Sequence, residues 1–331
     1  MTAPASLALS VVIPCHNDAG TLAPLLAALA RLGPVVEVIV IDDASSPPLH
    51  GADLLAAAGP EARAMAPGWL RLLRQPRPLG AGAARNLGLT LVTAPHVIFL
   101  DADDMVMPDL AHLARDLAQD PTARSFDFCI FQHHDTRGDQ ERLWGQRPFD
   151  DRLWRQAGLA HGALNAVGAD QAAALVQTAN YPWNKIYRTA FLRGKGIGCT
   201  PLMVHNDVEL HWRSFLLADR IIASDRIGVV HVVRHHGNRL TNRHTAERLR
   251  LFPVLDALAE EIALSDRPAL AQAFNSFVWG LTDWIGAHLP PEDRPALRAH
   301  ATRFWLTRTP PAQRRALRAD RGALLDRLGI G

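Results

Sequence analysis

Three aspartates occur within four residues, directly after an apolar run. The segment VIFLDADDMVMPDL places Asp101, Asp103 and Asp104 after the apolar residues 97–100. Carboxylates this close repel one another unless a cation lies between them, and a hard divalent ion such as Mg²⁺ or Mn²⁺ is the usual partner of such oxygen ligands. The alternative is a solvated acidic turn, or helix capping by Asp103 or Asp104.

Two further acids, Asp42 and Asp43, follow the apolar run VEVIVI in the same way. A carboxylate at a strand end can accept hydrogen bonds from a ribose hydroxyl or from the N–H of a base. The alternative is an Asx-turn that closes onto Ser45 or Ser46.

The segment GAGAARN, residues 80–86, opens a helical pattern. It is similar to a dinucleotide-binding fingerprint, but Arg85 stands where the third glycine belongs, and the segment follows the third predicted strand instead of the first. We interpret it as a helix N-terminus that offers N–H groups and a guanidinium to phosphate. A plain loop with an exposed arginine is the alternative.

The segment HNDVELHW begins another helical pattern, with Asn206 as a suitable N-cap. Asp207 is a candidate general base if it lies in the same cleft as the other acids. The alternative is an acid that complements the helix dipole.

Histidines and an arginine cluster after the last predicted strand, at His231, Arg234, His235 and His236. Histidine can ligate a metal and arginine can hold phosphate, whereas a basic surface cluster is the alternative. Trp183 could give a sugar or base a flat surface, but a tryptophan at such a junction is more often part of the core.

The apolar patterning predicts the elements that position these residues. In the first half, strand-type runs alternate with helical segments, which is typical of an α/β fold with a mostly parallel sheet and helices on both faces. Ligands bind beyond the carboxyl ends of such strands, so residues 14–18, 42–45 and 101–104 are expected at one rim. The predicted strands are residues 7–13, 36–41, 69–74, 96–100 and 126–131, and the predicted helices are residues 19–32, 49–58, 80–92 and 108–118.

The second half of the chain is patterned less clearly. Residues 133–181 are expected to be rich in loops. A helix is predicted over 206–217, followed by two short strands, near Ile221 and over 228–233. Beyond residue 241 the chain is predicted to be helical and contains many arginines.

The composition narrows the class of protein. The chain has 331 residues, of which 48% are hydrophobic and 21% charged, as in a soluble globular protein. The net charge of +2 is too small to suggest any particular class of partner. The three cysteines are far apart and show no metal-type spacing, which favours a reduced compartment. No apolar run approaches a membrane span, and the N-terminus lacks the basic start of a signal peptide. We therefore expect a cytoplasmic protein that at most rests on the inner face of a membrane.

Taken together, these segments resemble the family 2 glycosyltransferases, which have the GT-A fold. The resemblance covers residues 8–240 and depends on the order of SVVIPCHNDAG, EVIVIDDASS, PLGAGAARNLGL, VIFLDADDMVMPDLA, YPWNKIYRTAFLRGKGI and HNDVELHW. It implies a catalytic domain over residues 1–240, with a nucleotide-sugar part over 1–131 and an acceptor part over 132–240. Residues 241–331 then form a helical extension.

The resemblance also implies an activity. Such enzymes transfer a sugar from a nucleotide diphosphate donor, expected here to be a UDP-sugar, to an acceptor hydroxyl with inversion. The implied cofactor is Mn²⁺ or Mg²⁺. The implied partners are the donor and a glycan or lipid-linked acceptor of cell-surface polysaccharide or glycoconjugate synthesis, without nucleic acid.

Residue roles follow from the positions that match the family. Asp207 is the implied catalytic base, and Asp43 is expected to face the nucleotide base. The implied metal ligands are Asp103, Asp101 and His236. The implied donor-binding residues are Pro14, His16, Asp43, Arg85, Asp101 and Arg234.

The chain departs from the family pattern at three places. Asn206 stands where an acid commonly precedes the catalytic aspartate, and Glu209 lies close enough in sequence to be the base instead. His16 replaces the usual aromatic residue after the first strand.

Other functions remain open at this point. A sugar nucleotidyltransferase and a non-catalytic nucleotide-sugar-binding protein share most of these features. A phosphotransferase usually carries D-x-D after its first strand, and a nicotinamide-dependent oxidoreductase needs a glycine fingerprint there, which VVIPCHNDAG lacks. The C-terminal arginines suit contact with anionic lipid, a solvated face or a homodimer contact.

Overall fold

The computed structural model describes residues 7–33, 35–123, 125–141, 144–233 and 245–330. Within these residues the chain forms one mixed sheet of nine strands. Its order is β3-β2-β1-β4-β8-β6-β9-β5, and β7 pairs with β9. The strands are β1 Leu9–Cys15, β2 Val35–Asp42, β3 Leu70–Arg74, β4 His96–Phe99, β5 Met105–Val106, β6 Phe128–Asp135, β7 Asn165–Ala166, β8 Lys185–Arg188 and β9 Ile221–His231.

Helices cover the sheet and continue to the end of the described chain. The α-helices are α1 Ala19–Arg31, α2 Gly51–Ala58, α3 Pro60–Arg63, α4 Ala81–Leu91, α5 Pro108–Gln119, α6 Pro148–Ala157, α7 Ala169–Leu175, α8 Thr189–Gly194, α9 Val208–Leu217, α10 Phe252–Ala263, α11 Pro268–His288, α12 Arg294–Arg308 and α13 Pro311–Arg327. Short 3₁₀ segments lie at Pro121–Ala123, Thr136–Glu141, Ala246–Leu251 and Pro291–Asp293.

The longest strand pairings are parallel, as predicted. Strands β1–β2, β1–β4, β2–β3 and β6–β9 pair in parallel, whereas the antiparallel pairings of β4–β8, β6–β8, β5–β9 and β7–β9 involve two or three residues each. All seven residues of β1 are buried. A strand that is apolar along its whole length needs cover on both faces, which explains its unbroken apolar pattern.

Each face of the sheet belongs to a different hydrophobic cluster. Val12 packs in one cluster, while its neighbours Val11 and Ile13 pack in the other, because successive side chains of a strand point to opposite faces. The cluster that contains Val12 continues into the C-terminal helices, through residues such as Trp279 and Phe304. The C-terminal helices therefore share a core with the sheet.

The second half holds more regular structure than its sequence predicts. The stretch expected to be loop-rich contains α6, β7 and α7. Helix α6 has Pro148 at its first position and left-handed Gly158 as its C-cap, so both ends are marked in the sequence. The two short strands expected after residue 220 are a single strand, β9, whose pairing with β6 shifts register around Gln132. That irregularity accommodates polar residues in the middle of the strand.

The arginines of the C-terminal helices are largely engaged within the chain. Arg303 and Arg308 form ion pairs with Asp256, and Arg314 donates to the carbonyls of Leu306 and Thr309. Ion pairs also join Arg318 to Asp326 and Arg327 to Asp283. Among the described residues, no helix combines the length and the apolar character that crossing a bilayer requires.

Candidate active site

The carboxyl ends of β1, β2 and β4 lie side by side. Cys15 pairs with Asp42 across β1 and β2, and the N–H of Asp43 donates to the carbonyl of Cys15 at 2.8 Å. On the other side of β1, the N–H of Leu100 donates to the carbonyl of Val12 at 3.0 Å. The acids that follow β2 and β4 therefore emerge at one rim, as the parallel arrangement requires.

Asp42 is a structural residue of this rim. Its fully buried carboxylate accepts from the N–H of Ser45 at 2.7 Å and of Leu49 at 3.3 Å, and it forms an ion pair with Arg74. Burial opposes ionisation, but these bonds outweigh it and lower the pKa of Asp42 below its ordinary value. The Asx-turn alternative therefore describes Asp42.

Asp43 holds the loop that leads into α4. Its carboxylate accepts from Gln75 Nε2 at 2.9 Å, from the N–H of Leu79 at 2.7 Å and from the N–H of Gly80 at 2.8 Å. An ionised carboxylate has about four acceptor positions, so one remains for a ligand. The residue expected to face the nucleotide base also fixes the entry to the glycine-rich helix.

His16 lies exposed at the tip of β1, two residues after the buried Pro14. Its Nδ1 contacts the carbonyl oxygen of Asp43 at 2.6 Å, which requires a proton on Nδ1. Asn17, in a left-handed conformation with φ 57°, bonds to the turn after β2 by donating its N–H to Ser45 Oγ at 2.9 Å. The exposed imidazole is thus held beside Asp43.

Two glycines of α4 allow close contacts, one with strand β1 and the other with the loop that precedes α9. A Cβ on Gly88 would lie 2.3 Å from Val12 Cγ1 on β1. A Cβ on Gly82 would lie 2.3 Å from the carbonyl oxygen of Thr200 and 2.8 Å from Asn206 Cβ. The first turn of α4 is therefore in direct contact with the segment that precedes α9.

A reciprocal pair of hydrogen bonds fixes this contact. Asn86 Nδ2 donates to the carbonyl of Cys199 at 2.7 Å, and the N–H of Cys199 donates to Asn86 Oδ1 at 2.8 Å. The N–H of Thr200 donates to the carbonyl of Asn206 at 2.9 Å, which closes the loop before α9. The loop is thereby attached to α4 at the residue next to Arg85.

Arg85 lies buried at the centre of the site. It forms an ion pair with Asp101, and its Nη1 donates to Asn206 Oδ1 at 2.8 Å. Burial opposes the charge, but the attraction of Asp101 and Asp207 raises the pKa of Arg85 further above its ordinary value. The exposed-loop alternative is therefore wrong, since Arg85 joins the acidic turn after β4 to the loop before α9.

The three acids after β4 have different environments. Asp104 is buried and accepts from the N–H of Asp101 at 2.9 Å, and it lies 3.2 Å from Nδ1 of His231, near the end of β9. Burial raises the pKa of Asp104, and the hydrogen bond with Asp104 raises the pKa of His231. Helix α5 has Met107 at its N-cap, so neither Asp103 nor Asp104 caps it.

Asp101 and Asp103 are the partly exposed members of the acidic turn. Mg²⁺ is usually bound through one or two carboxylates with the remaining positions filled by water and substrate phosphates, and this donor set fits that pattern. Within the described ranges, no three His, Cys, Asp or Glu side chains form a complete metal site. A cation here would therefore take further ligands from the bound substrate. Arg234 and His236 lie outside the described residues.

Asp207 stands at the N-cap of α9 without a capping bond from its side chain. The predicted cap, Asn206, is wrong by one residue because its amide accepts from Arg85 instead. Burial raises the pKa of Asp207 to about 6, although Arg85 and Lys185 oppose the rise. A carboxylate with such a pKa and no capping bond can accept a proton near neutral pH. Glu209 lies two residues further along and faces Arg213.

All three residues of the WNK segment, residues 183–185, are buried instead of lining an open surface. Trp183 is fully buried, with ring centroids 4.3 Å from Tyr181 and 4.9 Å from His231, so the core alternative describes it. Lys185 is fully buried and donates to the carbonyl of Tyr181 and to Asn184 Oδ1, both at 2.7 Å. Burial lowers the pKa of Lys185 to about 7, against the attraction of Asp207.

The sequence pattern assigned no part in the site to Asn86 or Lys185. Asn86 stands beside Arg85 in the glycine-rich segment, so its position could have indicated a role in the site. For Lys185 the only indication was a single cation within the segment YPWNKIY.

Comparison with known proteins gives a family and a fold. The model of glycosyl transferase family 2 matches residues 10–175. The succinoglycan biosynthesis protein ExoO of Rhizobium meliloti is 36% identical over 99 residues, which are 30% of this chain and 26% of that protein. The pre-mycofactocin glycosyltransferase of Mycobacterium tuberculosis is 36% identical over 94 residues, or 28% of this chain and 17% of that protein.

Solved structures share the fold at low sequence identity. Residues 1–349 of S. aureus TarS in complex with UDP-GlcNAc match with a TM-score of 0.70 and 19% identity, over 89% of this chain and 80% of that one. The mannosyltransferase PcManGT of Pyrobaculum calidifontis, in complex with GDP-Man and Mn²⁺, matches with a TM-score of 0.56 and 19% identity, over 98% and 82%. The predicted GT-A architecture is confirmed.

Proposed function

The chain belongs to glycosyl transferase family 2, and we propose that, as a glycosyltransferase, it transfers a sugar from a nucleotide diphosphate donor to an acceptor hydroxyl. The proposed reaction inverts the anomeric centre and uses Asp207 as the base. The observation that carries the proposal is the Asp207 carboxylate, which makes no capping bond and stands in the same cluster as Arg85 and Asp101.

The donor nucleoside is proposed to bind at the tips of β1 and β2. Pro14, His16 and Asp43 lie together there, and the unused acceptor position of Asp43 suits an N–H of the base. A UDP-sugar is the proposed donor because TarS was solved with UDP-GlcNAc. PcManGT was solved with GDP-Man, so the nucleotide is the first property to measure.

The diphosphate is proposed to lie over Asp101 and Asp103. Mn²⁺ or Mg²⁺ held by these carboxylates would supply positive charge against the negative charge that develops on the departing diphosphate. Arg85 keeps Asp101 in place through its ion pair and adds a buried positive charge beside the leaving group.

The acceptor is proposed to enter from the side of α9. The acceptor oxygen attacks the anomeric carbon from the face opposite the diphosphate, and its proton passes to a carboxylate oxygen of Asp207. The bond from the anomeric carbon to the diphosphate breaks as the new glycosidic bond forms. General-base assistance of this kind contributes about 10²–10⁴-fold to the rate.

The acceptor class is proposed to be a growing glycan or a lipid-linked sugar of a polysaccharide. The support is that ExoO, similar over part of the chain, is named for succinoglycan biosynthesis. The internal ion pairs of the C-terminal arginines favour a structural role over lipid contact for those side chains.

Product analysis tests the proposal against its nearest rivals. Nucleotide sugars are incubated with Mn²⁺ and an acceptor mixture, and the released nucleotide is identified. Nucleoside diphosphate together with a glycosylated product is expected, whereas pyrophosphate would indicate a nucleotidyltransferase. Asp207→Asn should bind the donor but lose transfer, and an unchanged transfer rate in this variant would reject Asp207 as the base.

A further inference from the structure

His205, two residues before the proposed base, has an unusual backbone. Its φ of 57° lies in the left-handed region, which is uncommon for residues other than glycine, although asparagine, aspartate and histidine adopt it more often than most. Such a conformation costs about 1–3 kcal/mol and persists only where surrounding contacts impose it. Contacts to His205 therefore help to determine how the chain enters α9.

The C-terminal region supplies these contacts. Arg248 Nη1 lies 3.0 Å from Nε2 of His205. A guanidinium can only donate, so Nε2 accepts and the imidazole is neutral with its proton on Nδ1. Burial and the charge of Arg248 lower the pKa of His205 to about 4, so the ring stays an acceptor throughout the neutral range.

A tryptophan from α11 completes the arrangement. The guanidinium carbon of Arg248 lies 4.5 Å from the centroid of the Trp284 ring, a cation–π contact. The rings of His205 and Trp284 are nearly perpendicular, at 88°, with centroids 6.0 Å apart. Arg248 is 2% exposed and Trp284 is 40% exposed. His205, Arg248 and Trp284, here called the His205 clamp, come from three separate segments.

Residues of α4 hold the other side of the loop that precedes α9. Asn206 accepts from Arg85, and Cys199 pairs with Asn86. Asp207 follows directly, so the chain enters α9 just after one anchor to α4 and another to the C-terminal region.

We propose that Arg248 and Trp284 are positioning residues for sugar transfer, because they impose the backbone of His205 and thereby aim the Asp207 carboxylate at the acceptor hydroxyl. The proposal rests on the proposed role of Asp207. It gives residues beyond the matched range 10–175 a part in the reaction.

The first test is Arg248→Ala, with Arg303→Ala as the matched control. Arg303 also joins two C-terminal segments, through its ion pair with Asp256, but has no contact with His205. A misplacement of about 1 Å can cost about 100-fold in rate, so kcat of Arg248→Ala should fall by about 10- to 100-fold. The donor KM should stay within about twofold, because the described contacts of Arg248 are to His205 and Trp284 and do not involve Asp43 or Asp101.

Two further variants separate positioning from folding. Added guanidinium should restore part of the kcat of Arg248→Ala and leave the control unchanged. Trp284→Phe, which keeps an aromatic ring at this partly exposed position, should retain more activity than Trp284→Ala. Equal losses of thermal stability and kcat in Arg248→Ala and Arg303→Ala, without rescue, would overturn the proposal.

A double variant distinguishes failure of this proposal from failure of the proposed function. In an Asp207→Asn background, Arg248→Ala should cause no further loss of kcat, because the clamp acts through Asp207. Multiplying losses would show that Arg248 acts elsewhere and would overturn the clamp while the base assignment stands. Full transfer by Asp207→Asn alone would instead reject the base assignment, and the clamp with it.

Discussion

The two sides of the candidate cleft are fixed in different ways. The nucleotide-side region comprises the tips of β1, β2 and β4. Its acids after β2, Asp42 and Asp43, bond to groups three to 37 residues away, such as Ser45 and Gly80. The acceptor-side region comprises residues 198–233 and the C-terminal helices. It joins the first region through contacts that span 113 to 127 residues, such as Arg85 to Asn206.

This difference indicates how each region should respond to substitution. A rim built by short-range bonds can keep its shape when one side chain is lost, since neighbouring bonds remain. Asp207 depends on the contact between α4 and the loop before α9, so a small change there should displace the proposed base. Variants of the contact should therefore impair transfer more than donor binding.

The largest effect is expected from Gly82→Ala. The new Cβ would lie 2.3 Å from a backbone oxygen of Thr200, which cannot move away as a flexible side chain can. Overpacking of this kind costs about 3 kcal/mol, and kcat should also fall because the loop before α9 moves. Chemical denaturation and steady-state kinetics measure both effects.

Gly20→Ala in α1 is the control for this substitution. Its Cβ would have no neighbour within 4 Å, so the variant should be as stable as the wild type or slightly more stable. If Gly82→Ala behaved like Gly20→Ala, the close contact between α4 and the loop would not exist.

A smaller effect is expected from Asn86→Ala. It leaves the N–H and the carbonyl of Cys199 without their partner, and each unsatisfied buried group costs about 1–3 kcal/mol. We expect a loss of about 2 kcal/mol in unfolding free energy and a reduced kcat with little change in donor KM. Thr90→Ala on the same helix should change stability by less than about 0.5 kcal/mol, because Thr90 is exposed. Similar losses in the two variants would contradict the special role of this contact.

The pH dependence of kcat should report the ionisation of the proposed base. Asp207 must be ionised to accept a proton, and burial raises its pKa to about 6. The rate should therefore be constant above that pKa and fall about tenfold for each pH unit below it. Asp42 has a lowered pKa and stays ionised over this range, whereas burial raises the pKa of Asp104. The profile of Asp207→Asn separates the two carboxyl groups, since that variant keeps any fall caused by Asp104. A kcat that is flat down to pH 4.5 would contradict the base assignment.

The smallest effect is expected within the nucleotide-side region, from Ser45→Ala. The Oγ of Ser45 accepts from the N–H of Asn17 and hydrogen-bonds to the Asp42 carboxylate. In the variant, Asp42 still accepts from the backbone N–H groups of residues 45 and 49 and keeps its ion pair with Arg74. We expect a loss of about 0.5–1.5 kcal/mol in unfolding free energy and a kcat within about twofold of wild type. A larger loss of kcat than in Asn86→Ala would reverse the comparison between the two regions.

The sequence predicts the nucleotide-side region well because its signals are local. Apolar runs end at Ile41 and Leu100, and the parallel sheet brings the following residues to one rim. The glycine-rich entry to α4 was also placed correctly. Phosphate binding was the only role predicted for this segment. In the structure, the lack of a side chain at Gly82 also leaves room for the loop before α9, and Arg85 donates a hydrogen bond to that loop.

The acceptor-side region could not be predicted to the same depth because its contacts are distant in sequence. No spacing rule joins Arg85 to Asn206 or His205 to Arg248. Polar residues such as Asp225 and Arg226 interrupt the apolar pattern of β9. The pattern therefore predicted two short strands where the structure has one irregular strand. Helix α6 was missed although Pro148 and Gly158 mark its ends, because short amphipathic helices between loops give a weak periodic signal.

Donor titration of two variants tests the central claim most directly, which is that strand-tip acids hold the diphosphate while Asp207 handles the proton. Calorimetry with a UDP-sugar and Mn²⁺ is run on Asp103→Asn and Asp207→Asn. Asp103→Asn should bind the donor about 10- to 100-fold more weakly, as expected for loss of a metal ligand. Asp207→Asn should bind it like the wild type and yet show a strongly reduced kcat. If Asp103→Asn bound the donor normally while Asp207→Asn lost donor binding, the division of roles between the two regions would be contradicted.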